Sequence, residues 1–256
     1  MSSNDYVESM EKEHATDAPI ETTASSIQPK QSIVDMDINF GSQLFSAYMA
    51  EPKDGNPSPP CVLVIHEWWG LNDQIKSVTR QLAGEGYVAL AVDLYQCEAA
   101  SSVPEARDLM KTAMTNKASV LDHLNEAVVY LRRLYPKSKL GVIGWCFGGT
   151  FSLQVSLVCP IDATVVYYGH LVSDPDEIMP LSSPVLGIFG ELDKGIKLEH
   201  VKSFESALRA RGKEHEIHVY PNVDHAFANP SGMLYNEDAA VDAWSKTLMF
   251  FEKHLK

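Results

Sequence analysis

Five continuous apolar runs dominate the chain: "CVLVIHE" from Cys61, "YVALAVD" from Tyr87, "KLGVIGW" from Lys139, "ATVVYYG" from Ala163 and "PVLGIFG" from Pro184. A strand whose two alternating sets of side chains are both apolar must be buried on both faces. Five such strands separated by helical segments require a mostly parallel sheet with helices on both sides. Between the first two runs, Ile75, Val78 and Leu82 recur at helical spacing, with Asn72 or Asp73 as the cap and a glycine, Gly86, at the end. "VPEARDLMKTAM", "ASVLDHLNEAVVYLRRLYP", a segment starting near Gly148, "LEHVKSFESALRARG" and "NEDAAVDAWSKTLMFFEKHL" read as further helices, and "HEIHVYP" as a further strand. Ahead of the first run, "SIVDMDINF" and "QLFSAYMA" alternate apolar and polar residues around Gly41 and Ser42, the pattern of an antiparallel edge hairpin.

A chain of 256 residues, 45% hydrophobic, fills one sizeable core, so a single domain is expected over residues 31–256. Residues 1–30 are rich in Ser, Thr and acidic side chains and have no apolar block of the secretory kind; they are expected to form a disordered tail. The net charge of −13 excludes the electrostatic footprint of a nucleic-acid or anionic-membrane binder. No apolar segment approaches the roughly 20 residues of a membrane-spanning helix. Cys61, Cys97, Cys146 and Cys159 lack the close pairing of zinc or dithiol sites, and free thiols favour a reducing compartment. The expectation is a soluble, cytoplasmic monomer that binds no metal and acts on a small molecule.

In sheets of this kind, sites form at the carboxyl ends of the strands. The third long run ends in "GVIGWCFGGT", a G-x-C-x-G-G turn from strand to helix. Such a turn is sharp and strained, and side chains at Gly144 or Gly148 would strike neighbouring backbone. Cys146 is thereby held at the mouth of the sheet beside a helix N-terminus, where a thiolate is favoured. A packed, inert thiol is the bland alternative. It loses ground because partners follow: "GELD" places Asp193 after the next strand but one, and "DHAFANP" places His225 after the last. Nucleophile, acid, histidine is the chain order of the α/β-hydrolase fold. Asp224 and Glu191 are decoys, since a carboxylate adjacent in sequence reaches the histidine ring poorly. "VIHEWWGLND" resembles the zinc motif H-E-x-x-H, but Gly70 stands in place of the second histidine. What it offers instead is Glu67 and the Trp68 backbone N–H, half of an oxyanion hole whose other half is the Phe147 N–H.

Taken together, "HEWWGLN", "VDLY", "GWCFGG", "GELD" and "DHAFANP" resemble, in the same order, the motifs of the dienelactone hydrolases, or carboxymethylenebutenolidases, from about residue 33 to the C-terminus. The resemblance implies cofactor-free cleavage of a lactone or small ester through a cysteine acyl-enzyme. It assigns Cys146 as nucleophile, Asp193 and His225 as the rest of the triad, and Glu67 as the group that helps deprotonate the thiol when substrate arrives. Trp68 and Phe147 supply the oxyanion N–H groups, and Arg107, Asn229, Phe227 and Tyr95 are the substrate-binding candidates. Asn229 occupies the position of an arginine that grips the substrate carboxylate in bacterial members, and an asparagine carries no charge for that purpose. The alternative is an α/β-hydrolase-fold protein that binds a ligand and turns it over weakly or not at all.

Overall fold

The computed structural model describes residues 7, 8, 10–12, 14, 29–54, 56–96 and 99–256. Its core is an eight-stranded sheet: β1 (Ile33–Phe40), β2 (Phe45–Pro52), β3 (Cys61–Ile65), β4 (Val88–Val92), β5 (Leu140–Trp145), β6 (Ala163–Tyr167), β7 (Val185–Gly190) and β8 (His215–Tyr220). The spatial order is β1-β2-β4-β3-β5-β6-β7-β8. The hairpin β1–β2 is antiparallel and joins β4 antiparallel, whereas every pairing from β4 through β8 is parallel. All residues of β3, β4, β5, β6 and β7 are buried, as their unbroken apolar runs require. β1 is largely exposed and carries Asp35 and Asp37, charges that discourage pairing of a free edge with another chain.

The main helices are α1 (Asp73–Gly84), α2 (Val103–Thr115), α3 (Lys117–Leu134), α4 (Phe147–Val158), α5 (Leu198–Ala210) and α6 (Glu237–Leu255), with a single turn at Pro175–Ile178. Asn72 caps α1, its Oδ1 accepting from the Ile75 N–H at 3.1 Å. Asn236 caps α6 in the same way through Ala239. Glycines on β5 place the two helical layers. A Cβ at Gly141 would meet Phe251 and Leu255 of α6, while one at Gly144, on the other face of the strand, would strike the backbone of Gly148 and Gly149 in α4. Thus α6 and α4 cover opposite faces. Among the described residues, no helix is long and apolar enough to cross a membrane.

Residues 1–30, expected from composition to form a disordered tail, lie mostly outside the described residues. Residues 7, 8 and 10–12, however, are helical, and Val7, Met10 and His14 are buried. Their spacing, i, i+3 and i+7, places them on one helical face, while Glu8 and Lys12 stay exposed. For this stretch the disordered reading is corrected: a short amphipathic turn docks over the carboxyl ends of the strands.

Candidate active site

β3 and β5 are neighbours in register Ile65↔Gly144, so the loop after β3 and the turn after β5 meet at the switch point of the sheet. Cys146 lies between β5 and α4 with φ 52° and ψ −113°, a left-handed backbone that a non-glycine residue adopts only under strain. The surroundings enforce it. Gly148 passes so close to β3 that a Cβ there would run into the Ile65 carbonyl oxygen. The result is a buried thiol held rigidly at the sheet's mouth, with Phe147 as the first residue of α4. The first N–H groups of a helix have no acceptor within it, and that of Phe147 follows directly on the cysteine in the chain.

β7 and β8 supply the partners. His225, in the loop after β8, is fully buried, and its Nδ1 lies 2.7 Å from Asp193 Oδ2. The other carboxylate oxygen of Asp193 accepts from the Gly195 N–H at 2.9 Å and the Ile196 N–H at 2.7 Å. Three bonds therefore fix the carboxylate, and burial, which favours the neutral acid, is outweighed by the His225 charge and these donors. With Nδ1 occupied, Nε2 of His225 is buried, has no close hydrogen-bond partner among the described residues, and faces the Cys146 thiol. It belongs to a cluster in which Cys146 Sγ, a ring nitrogen of His225 and a ring nitrogen of His14 all lie within 4.8 Å of one another. The decoys separate cleanly. Asp224 accepts the backbone N–H of His225, and Glu191 accepts the N–H of Asn222.

The loop after β3 places Glu67 and Trp68 against the same cluster. Glu67 is buried; one oxygen accepts from the Tyr168 hydroxyl at 3.2 Å and the other from the Asn229 side-chain amide. Burial, and then the charge of Cys146, push its carboxyl up to about 7. Burial opposes ionisation of Cys146 as well, but His225 and His14 outweigh it and bring the thiol down to about 6. His225 is held well above its ordinary range, against its own desolvation, by Asp193 and Cys146. Thiolate and imidazolium thus titrate as a pair.

The other candidates take different places. Tyr95 donates its hydroxyl to the Trp68 carbonyl at 3.0 Å and lies by the rings of His66 and Phe147, bracing the loop after β3. Phe227 is fully buried against Tyr168 and Tyr220. Asn229, expected on the substrate, is engaged by Glu67 because the loop after β8 folds its amide under the loop after β3. Arg107 is tied at 2.9 Å to both Glu11 and Asp108, so its guanidinium is committed to carboxylates of the chain itself. Sequence reasoning missed Tyr168 and His14. The signal for Tyr168 is its place at the carboxyl end of β6; for His14 the spacing of Val7, Met10 and His14 is too short to outweigh the polar composition around it. The trio Cys146, His14 and His225 has donors that suit a soft cation. The cysteine of the trio sits on a strained elbow, and His225 is held from behind by a carboxylate.

A parallel sheet with an elbow after β5, an acid after β7 and a histidine after β8 defines an α/β hydrolase. Residues 45–255 match the family described as "Dienelactone hydrolase family", and the chain belongs to that family. It is 34% identical over 217 residues to Protein usf of Aquifex pyrophilus, covering 81% of this chain and 93% of that one. It is 32% identical over 223 residues to a Methylorubrum extorquens protein provisionally named carboxymethylenebutenolidase, covering 81% of this chain and 76% of that one. Among solved structures, a Klebsiella pneumoniae protein provisionally named dienelactone hydrolase superposes with a TM-score of 0.80 at 30% identity, covering 88% of this chain and 100% of the other.

Proposed function

We propose that the protein hydrolyses a lactone or small ester through a covalent thioester on Cys146. The reading is carried by one observation: the strained Cys146 shares a buried cluster with His225, whose far nitrogen is held at 2.7 Å by Asp193. In the proposed cycle the Cys146 proton passes to His225 Nε2, and the thiolate attacks the substrate carbonyl to form an S–C bond. The oxyanion is received by the N–H groups of Trp68 and Phe147; one such donor is worth about 3 kcal/mol in transition states of this kind. The C–O bond then breaks and the departing oxygen takes the proton from His225. His225 next removes a proton from water, the resulting hydroxide attacks the thioester, and the thiolate leaves. No step calls on a cofactor.

Glu67 stands beside the nucleophile with a carboxyl pushed up to about 7 and is proposed to modulate ionisation of the thiol. Asn229 and Tyr168 hold it in place. No arginine occupies the Asn229 position, so neutral esters and lactones are the proposed substrates ahead of carboxylate-bearing ones.

The pH dependence follows from the site. With the thiol brought down to about 6, kcat/KM for an aryl ester is expected to fall as pH drops through about 6, as the thiolate takes up a proton. A profile flat from pH 5 to 8, on the order of three units, would contradict a cysteine nucleophile in this environment. The direct test of the proposal is whether the acyl group of an ester is found on the sulfur of Cys146.

A further inference from the structure

His14 and Met10 reach the nucleophile itself. Met10 Sδ lies 3.6 Å and His14 Nε2 lies 3.8 Å from Cys146 Sγ. The His14 ring stacks on Trp68 at 4.4 Å with 27° between planes, and meets His225 edge-on at 5.3 Å. The segment is seated by several contacts: Val7 and Met10 are buried, the His14 N–H donates to the Met10 carbonyl at 3.0 Å, and Glu11 pairs with Arg107 at 2.9 Å.

We infer that His14 donates its Nε2–H to the Cys146 thiolate, so that a second imidazole holds the nucleophile and the N-terminal segment forms a wall of the active site. The chemistry favours this arrangement. A buried thiolate needs donors, and the stacked indole face of Trp68 fixes the plane of the imidazole so that its nitrogen faces the sulfur. His225 remains the group that takes the thiol proton; His14 moves none and supplies one hydrogen bond to the sulfur. The charged and titratable groups around this contact are Glu67 from the loop after β3, Tyr168 from the end of β6, and His225 backed by Asp193 from the loops after β8 and β7. Glu67, when ionised, opposes the thiolate, whereas His225 and His14 favour it, so loss of His14 leaves the carboxylate balanced by one imidazole. Arg107, a substrate-binding candidate from sequence, acquires a different role: it anchors this segment through Glu11.

The inference rests on Cys146 being the nucleophile, and the experiment separates the two. In the full-length protein, iodoacetamide alkylation of Cys146 is followed against pH by mass spectrometry of its peptide, because Cys61 and Cys159 also carry free thiols. His14→Phe keeps a ring on Trp68 and removes the nitrogen; its alkylation midpoint is expected to rise by about one pH unit, making alkylation at pH 6 about fivefold slower. His14→Gln restores an N–H donor and should recover most of the shift. Val7→Asp, which unseats the segment without touching the triad, should move the midpoint in the same direction as His14→Phe. An unmoved midpoint in His14→Phe, or faster ester turnover with no change of midpoint, would overturn the inference and make the segment a mere obstruction. Ester turnover persisting in Cys146→Ala would instead remove the nucleophile assignment, whatever the His14 variants do.

Discussion

Replacing Cys146 by alanine is expected to lower kcat/KM for an activated aryl ester by at least about 10³-fold while the protein still folds. The backbone at this position is already strained by its neighbours, and alanine keeps the same Cβ, so the change removes only the sulfur. In the proposed mechanism, what remains is a site with the Trp68 and Phe147 N–H groups and His225 intact but with no atom to carry the acyl group. The measurement is a steady-state comparison of wild type and variant, with thermal melts to show equal folding. Retention of more than about a tenth of the activity would mean that another nucleophile or direct water attack operates, because general-base catalysis by His225 alone contributes far less than a covalent route.

Asp193→Asn is expected to cost nearly as much, on the order of 10³- to 10⁴-fold in kcat, with little change in KM. The carboxylate oxygen facing His225 Nδ1 accepts at 2.7 Å, and it fixes both the tautomer and the charge of the ring. An asparagine can turn an N–H toward Nδ1, which places the ring proton on Nε2 and leaves it unable to accept from the thiol. The two backbone donors that hold the other oxygen, from Gly195 and Ile196, would keep the loop in place, so the loss should be kinetic and not structural. Kinetics and melting curves on the same preparation check this. A variant that is inactive because it is unfolded would show the carboxylate to be a folding element instead.

The sheet was legible because its central strands are apolar on both faces, and the β1–β2 hairpin because it alternates around Gly41. The elbow was legible for a mechanical reason: Gly144 and Gly148 are where backbone meets backbone, and the residue between them that bears chemistry is Cys146. Chain order singled out Asp193 and His225, and the structure places them in hydrogen-bond contact, while Asp224 and Glu191 face backbone N–H groups. Other features escaped for equally physical reasons. Asn229 and Glu67 are 162 residues apart, and nothing local announces that an amide in one loop lies under a carboxylate in another. In "VVYYG" either tyrosine could pack in the core; only the register at the end of β6 turns the Tyr168 hydroxyl toward Glu67. The N-terminal stretch reads as solvated by composition, and three inward residues over two turns are too few to outweigh its Ser, Thr and acidic content. His14 and Met10 are buried by tertiary contact with Trp68 and Cys146, which a periodicity within the tail does not reveal.

The most direct test of the account is the intact mass of the wild-type protein, mixed rapidly with excess p-nitrophenyl ester and quenched in acid within the first turnover. The thioester that forms before water attacks should be trapped, and digestion should locate one acyl group on the peptide containing Cys146. No adduct, or an adduct on Cys61, Cys159 or any other residue with Cys146 unmodified, would contradict the assignment of Cys146 as the nucleophile.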